Sequence, residues 1–196
     1  TRFIPGIGNV YRATSTPSFT LGADGERLYP HATPPGQAAR HILLLGASQT
    51  FGALNDDAHS LGAALERLMP GTVVRTFASP AQDFSASAMV LARRIAAGDR
   101  IDRVVVINGF VDLVNHCSPW SPPRPRPRPV LVEMAIRLTD TGETNRRAVP
   151  EDGCGTPEGQ AAALERLMAE IDGVRQIARR GDLPLTVIVP PVPYVA

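Results

Sequence analysis

Ser48 stands two residues beyond Gly46, at the end of the apolar run Ile42 to Leu45. A hydroxyl in that setting can act as a nucleophile when a base reaches it. Continuous apolar runs suit a strand buried on both faces of a parallel sheet. Gly46 permits the tight turn that follows. The turn leaves Ser48 at the carboxyl end of the strand, where open α/β sheets hold their ligands. The same Gly-x-Ser also opens ordinary strand-to-helix turns, with the serine as helix N-cap. Acyl transfer by a serine needs a base for its proton, an acid to orient that base, and donors for the oxyanion.

The remaining candidates cluster after a later apolar run, Val104 to Ile107. They are Asn108, Asp112, Asn115 and His116. Asn108 and Asn115 carry amide donors, and Asp112 suits a loop-ordering carboxylate. Of the four histidines, His41 precedes the first strand, at the wrong end of a parallel sheet for Ser48. His31 lies in the N-terminal segment, and His59 reads as a solvated residue at a helix start. His116 follows the third strand, on the correct edge, and is the one candidate base among them. No metal set emerges, because His116 and Cys117 are adjacent rather than at ligand spacing. The Gly-Ile-Gly at residues 6–8 lacks the flanking strand and helix of a dinucleotide fingerprint.

The run LLLGASQTFG, from Leu43 to Gly52, resembles the first signature block of the SGNH/GDSL hydrolases, with Ala47 in place of the usual aspartate. VVVINGFVDL, from Val104 to Leu113, is similar to the third block, Gly-x-Asn-Asp, with Gly109, Phe110, Val111 and Asp112 at its positions. TFASPAQDFS, from Thr76 to Ser85, resembles the second block, with Ala81 at the family's glycine. The resemblance covers about Arg40 to Val195. It implies a three-layer α/β fold and a serine esterase needing no cofactor. Ser48 is then the nucleophile, and the backbone N–H groups of Ser48 and Ala81 are oxyanion donors. The family's third donor is an asparagine side chain, and Val111 stands there without a donor. The family's Asp-x-x-His is absent from these 196 residues. The expectation is a chain cut short of that segment, with the base beyond it.

Those residues need elements to hold them. Strands are expected at Ile42–Leu45, Val73–Phe77, Val104–Ile107 and Leu185–Val189, alternating with helices. A helix over Ala58–Leu68 would bury Leu61, Ala64, Leu65 and Leu68. One over Ser85–Ala97 would bury Ala88, Leu91, Ala92 and Ile95, and Gly98 would stop it. A long helix from Thr156 or Pro157 to Arg180 would bury Leu164, Leu167, Met168, Ile171, Val174 and Ile177, with Thr156 as N-cap. The heptapeptide AALERLM occurs at 63–69 and again at 162–168. The pattern predicts a flavodoxin-like, doubly wound parallel sheet in three αβα layers, lacking its C-terminal part. Residues 1–39 read as an extended arm or small β hairpin, and 40–196 as the α/β domain. That domain carries a Pro/Arg-rich insertion at about 114–155.

With 196 residues the chain can bury a sizeable core. The formal net charge of +1 gives no electrostatic footprint for nucleic acid. No apolar run approaches the ~18 residues a membrane span needs. The alternating prolines and arginines of 118–129 exclude helix and central strand and suit polyproline II or a solvated linker. A partner docked on that strip is the sharper alternative. Cys117 and Cys154 flank the insertion, and a bridge between them would imply an oxidising compartment, periplasmic or secreted. The substrate expected is a small-molecule or carbohydrate ester. The competing readings are a non-catalytic glycan- or protein-binding domain and an envelope polysaccharide O-acyltransferase.

Overall fold

The computed structural model describes residues 2–4, 8–10, 13–52, 54–117 and 153–190. The Pro/Arg strip and most of the 114–155 insertion lie outside the described residues. The chain forms two compact units, residues 1–111 with 169–196, and residues 112–168.

In the first unit, β6 (Arg40–Gly46), β7 (Thr72–Ala78), β8 (Arg103–Ile107) and β9 (Leu185–Ile188) are parallel, in the order β7-β6-β8-β9. Counting parallel strands alone, this is the 2-1-3-4 order of flavodoxin-like sheets. The apolar runs of β6, β7 and β8 form strands because both faces are covered. Ile42, Leu44 and Val74 pack against Leu61, Leu65 and Met69 on one face. The alternate residues Leu43, Leu45, Val104 and Val106 are equally buried on the other.

The sheet is mixed rather than wholly parallel. Three short strands, β3 (Thr14–Ser15), β4 (Thr20–Leu21) and β5 (Arg27–Leu28), join it antiparallel, with β5 pairing onto β7 through Arg27 and Thr76. The segment expected as an extended arm or small β hairpin thus supplies three short strands at the sheet edge. Its Leu21 is buried against Phe51 and Ala78. Ahead of it, β1 (Arg2–Ile4) and β2 (Gly8–Val10) form a separate antiparallel hairpin.

The helices in chain order are α1 (Ser48–Phe51), α2 (Leu61–Leu68), α3 (Phe84–Ala96), α4 (Phe110–Cys117) and α5 (Pro157–Arg180). Several faces differ from the periodicity reading. The α2 helix starts at Leu61, because Ser60 caps it by accepting from the Ala63 N–H. It buries Gly62, Ala63 and Glu66 and leaves Leu68 78% exposed. The cause is Glu66, whose carboxylate accepts from the Val74 and Ala32 N–H groups and pairs with His31. Those bonds hold Glu66 inward, while Leu61 and Leu65 stay half-buried against the sheet. In α3 the buried residues are Phe84, Ala86, Ser87, Val90 and Leu91, whereas Ala88, Ala92 and Ile95 are half-buried.

Both α4 and α5 run from one unit into the other. Within the first unit α5 buries Ile171, Val174 and Ala178. Within the second it buries Ala163 and Leu167, while Leu164 and Met168 are exposed. The buried residues recur at spacings of four, four, three and four, the period of one helix face. The second unit is closed by a Cys117–Cys154 disulfide, and Thr156 caps α5 by accepting from the Gly159 N–H at 3.1 Å. Among the described residues no helix is long and apolar enough to cross a membrane.

Candidate active site

Gly46 ends β6 in register with Ala78 of β7 and Ile107 of β8. Three loops therefore leave the sheet at one level, from the central strand and its two neighbours. The strand order reverses here, and open α/β sheets bind ligands at such a point.

The first loop is the shortest. Ala47 is fully buried in extended geometry and Ser48 begins α1. A Cβ at Gly46 would overlap Thr50 Oγ1 and the Ile107 carbonyl oxygen, so only glycine lets the chain turn this tightly beside β8. Thr50 Oγ1 in turn donates to that carbonyl at 3.1 Å and pins α1 to the end of β8. Ser48 is half-buried, and no group among the described residues hydrogen-bonds its hydroxyl.

The second loop is the turn Ser79 to Gln82, closed by Gln82 N–H donating to Ser79 O at 3.0 Å. Pro80 occupies its second position and Ala81 its third, with φ of 62°. Proline then a left-handed residue is the pattern of a type II turn. Glycine suits that third position, and its methyl-bearing replacement keeps the backbone N–H. Ala81 is exposed, and Ser79 N–H donates to Gly46 O at 3.2 Å, holding this turn beside the Ser48 loop.

The third loop begins at Asn108, which is fully buried. Its N–H donates to Ile188 O and its Nδ2 donates to Gln82 O at 3.0 Å. Gln82 itself donates through Nε2 to Ser87 Oγ at 3.1 Å. Asn108 thus ties the third loop to the second and does not face solvent as a free donor would. Among the described residues its Oδ1 has no partner. Gly109 follows, and a Cβ there would press on Val189.

The second unit holds the other candidates. Asp112 is buried, and Asn115 and His116 are half-buried, all on α4. The helix itself went unread in the sequence, although its acidic Asp112 in the first turn and basic His116 in the last suit the helix dipole.

The remaining histidines are held elsewhere. His31 Nδ1 pairs with Glu66 at 2.7 Å, and the exposed His59 pairs with Asp56 at 2.7 Å. His59 holds the Asp56 carboxyl below its ordinary 3.8, first through the side-chain hydrogen bond. His41 sits near the start of β6, at the opposite end from Ser48.

A mixed α/β sheet with a serine at its switch point is the class these features define. No protein-family model matches the chain, and no curated protein matches it. The solved structures to which it is similar include SGNH/GDSL-family esterases and lipolytic proteins. The SGNH-hydrolase family esterase AlinE4 is 20% identical, covering 75% of each chain, with a TM-score of 0.39. A lipolytic protein of the G-D-S-L family from Desulfitobacterium hafniense is 15% identical over 75% of this chain and 76% of its own, with a TM-score of 0.34. An acetyl xylan esterase from Geobacillus stearothermophilus is 14% identical over 76% of each chain, with a TM-score of 0.36.

Proposed function

We propose that this chain is an SGNH-type serine hydrolase domain that cleaves an O-acyl ester, with an acetylated carbohydrate or a small lipid-like ester as substrate class. One observation carries the reading: Ser48, whose hydroxyl has no hydrogen-bond partner among the described residues, lies at the switch point, level with the turn of Ala81. In this reading Ser48 Oγ attacks the acyl carbonyl carbon and loses its proton to a general base. The Ser48 and Ala81 N–H groups hold the oxyanion. The C–O bond then breaks, and the alcohol leaves with the proton from the base. Water attacks the acyl-serine in the same way and releases the acid.

Asn108 acts here as a positioning residue, because its amide is spent on the Gln82 carbonyl beside Ala81. The described residues supply the nucleophile and two donors, and the reading takes its base from elsewhere. Val111 favours a second reading, a glycan- or protein-binding domain without turnover, since it removes a donor worth ~3–4 kcal/mol of transition-state stabilisation.

The test is intact-mass spectrometry after a fluorophosphonate probe. A single adduct that maps to Ser48 and disappears in Ser48→Ala supports the hydrolase. A full-length natural protein that stays unlabelled points to the binding domain.

A further inference from the structure

Arg27 is the most buried cation among the described residues. Its residue exposure is 1%, and its side chain is wholly enclosed. It comes from β5, in the segment that precedes the parallel sheet, yet its guanidinium reaches the chain just after Ser48. Nη1 donates to the carbonyl oxygens of Phe51 and of Gly52, the latter at 2.8 Å. Nη2 donates to Asn55 O at 2.6 Å and to Ser18 O at 3.4 Å. Nε donates to Asp57 Oδ1 at 3.2 Å, and the same carboxylate oxygen accepts from the Thr20 N–H. The guanidinium also lies over the Phe51 ring, 5.2 Å from its centroid.

The helix served by this cation is a single turn. It is closed by Phe51 N–H to Ala47 O and by Gly52 N–H to Ser48 O, each 2.9 Å. One turn does not hold itself, since helix nucleation is unfavourable. The carbonyls at its end have no helical partners. Phe51 is 2% exposed, so burial denies them water as well. A planar fork of five N–H donors meets that demand, which the single ammonium of lysine cannot do. A positive charge at a helix C-terminus adds to the effect. Gly52 leaves room for this, because a Cβ there would stand 3.2 Å from Nη1.

We propose that Arg27 is a positioning residue for Ser48: it locks the C-terminal end of the one-turn helix whose first residue is the nucleophile. This rests on the reading of Ser48 given above. The edge strands are then part of the catalytic apparatus, because they deliver the cation that fixes the serine. Arg27 touches no substrate and acts only through the backbone of Phe51, Gly52 and Asn55.

The test compares wild-type protein with Arg27→Lys in two measurements, amide hydrogen exchange and the second-order rate of fluorophosphonate labelling. The expected result is exchange at Phe51 and Gly52 faster by about tenfold, with β6 and β8 amides unchanged. Labelling of Ser48 falls by about 10²-fold, as a small misplacement of a reacting group costs. Methylguanidinium, and not methylammonium, restores part of that rate in Arg27→Ala. A folded Arg27→Lys protein with wild-type exchange and wild-type labelling overturns the proposal. Where Arg27→Lys fails to fold, Asp57→Ala removes the acceptor of Nε and of the Thr20 N–H and leaves the Nη contacts in place. Faster exchange at Phe51 in that variant supports the proposal, and unchanged exchange overturns it. A wild-type protein that never labels, together with fast local exchange in Arg27→Lys, overturns the reading of Ser48 while supporting the lock on its turn.

Discussion

The side-chain amide of Asn108 donates to the carbonyl oxygen of Gln82 across 3.0 Å, and this bond fastens the end of β8 to the turn that carries Ala81. Both residues are buried, so the bond is shielded from water. Asn108→Ala leaves the Gln82 carbonyl without that donor, at a cost of ~1–3 kcal/mol. Asn108→Asp is expected to cost more, since a carboxylate would face a carbonyl oxygen. Urea denaturation measures the loss. On the hydrolase reading proposed above, fluorophosphonate labelling in the folded Ala variant is expected to slow, because the turn that carries Ala81 loses a tie.

Ala81 pays for its left-handed conformation. An L-residue there loses ~1–2 kcal/mol relative to the right-handed regions. Glycine removes that strain but costs ~0.5–1 kcal/mol in unfolded-state entropy. Ala81→Gly is therefore expected to raise stability by ~0.5–1 kcal/mol while keeping the backbone N–H and the rate of Ser48 labelling. A variant less stable than the wild type in the same urea titration would show that the turn does not hold this residue at positive φ.

The two copies of AALERLM explain what the sequence could and could not reveal. In the copy at 63–69 the first alanine and the glutamate are buried, and the second leucine is exposed. In the copy at 162–168 the second alanine and the second leucine are buried, and the glutamate is exposed. Identical side chains bury different faces because partners decide, here the Val74 and Ala32 N–H groups waiting for Glu66. The parallel strands were legible, since a run such as Ile42–Leu45 has no other good home. The bounds and pairing of the short strands of 14–28 were not, because two-residue strands carry no period. Nor was Arg27, whose role depends on carbonyls at 51, 52 and 55 that only the folded chain gathers.

Tyr29 gives the protein an alkaline limit. Its phenol is buried against Gly62, donates to the Val74 carbonyl, and lies near the Glu66 carboxylate. Burial first, and the Glu66 charge second, push its pKa well above the ordinary value. A raised acid favours the neutral form in the folded state. Its contribution is fully present below the unfolded value of about 10 and is lost as pH rises through the folded value. Stability should therefore fall above about pH 10. Tyr29→Phe is expected to cost ~1 kcal/mol at pH 7, through the lost bond to Val74, and to flatten the alkaline limb. Urea midpoints at pH 7 and pH 11 for both proteins check this. Parallel alkaline losses in the two proteins would assign the limit to another group.

Val111 is where the hydrolase reading is most exposed to test. It occupies the second position of α4, one residue before Asp112, and is half-buried. On the proposed reading, an amide side chain at this position would add a third donor to the N–H groups of Ser48 and Ala81. If the three loops surround one oxyanion, Val111→Asn should raise kcat by ~10²–10³ with little change in KM, because the new bond forms only in the transition state. A p-nitrophenyl acetate assay with purified wild-type and variant protein measures it, with Ser48→Ala as the blank. A gain that vanishes in the Ser48→Ala, Val111→Asn double variant would place the new donor and the serine in one reaction. A variant with wild-type kcat would mean that α4 does not aim its first turn at the Ser48 site, and the missing donor would then cease to count against turnover.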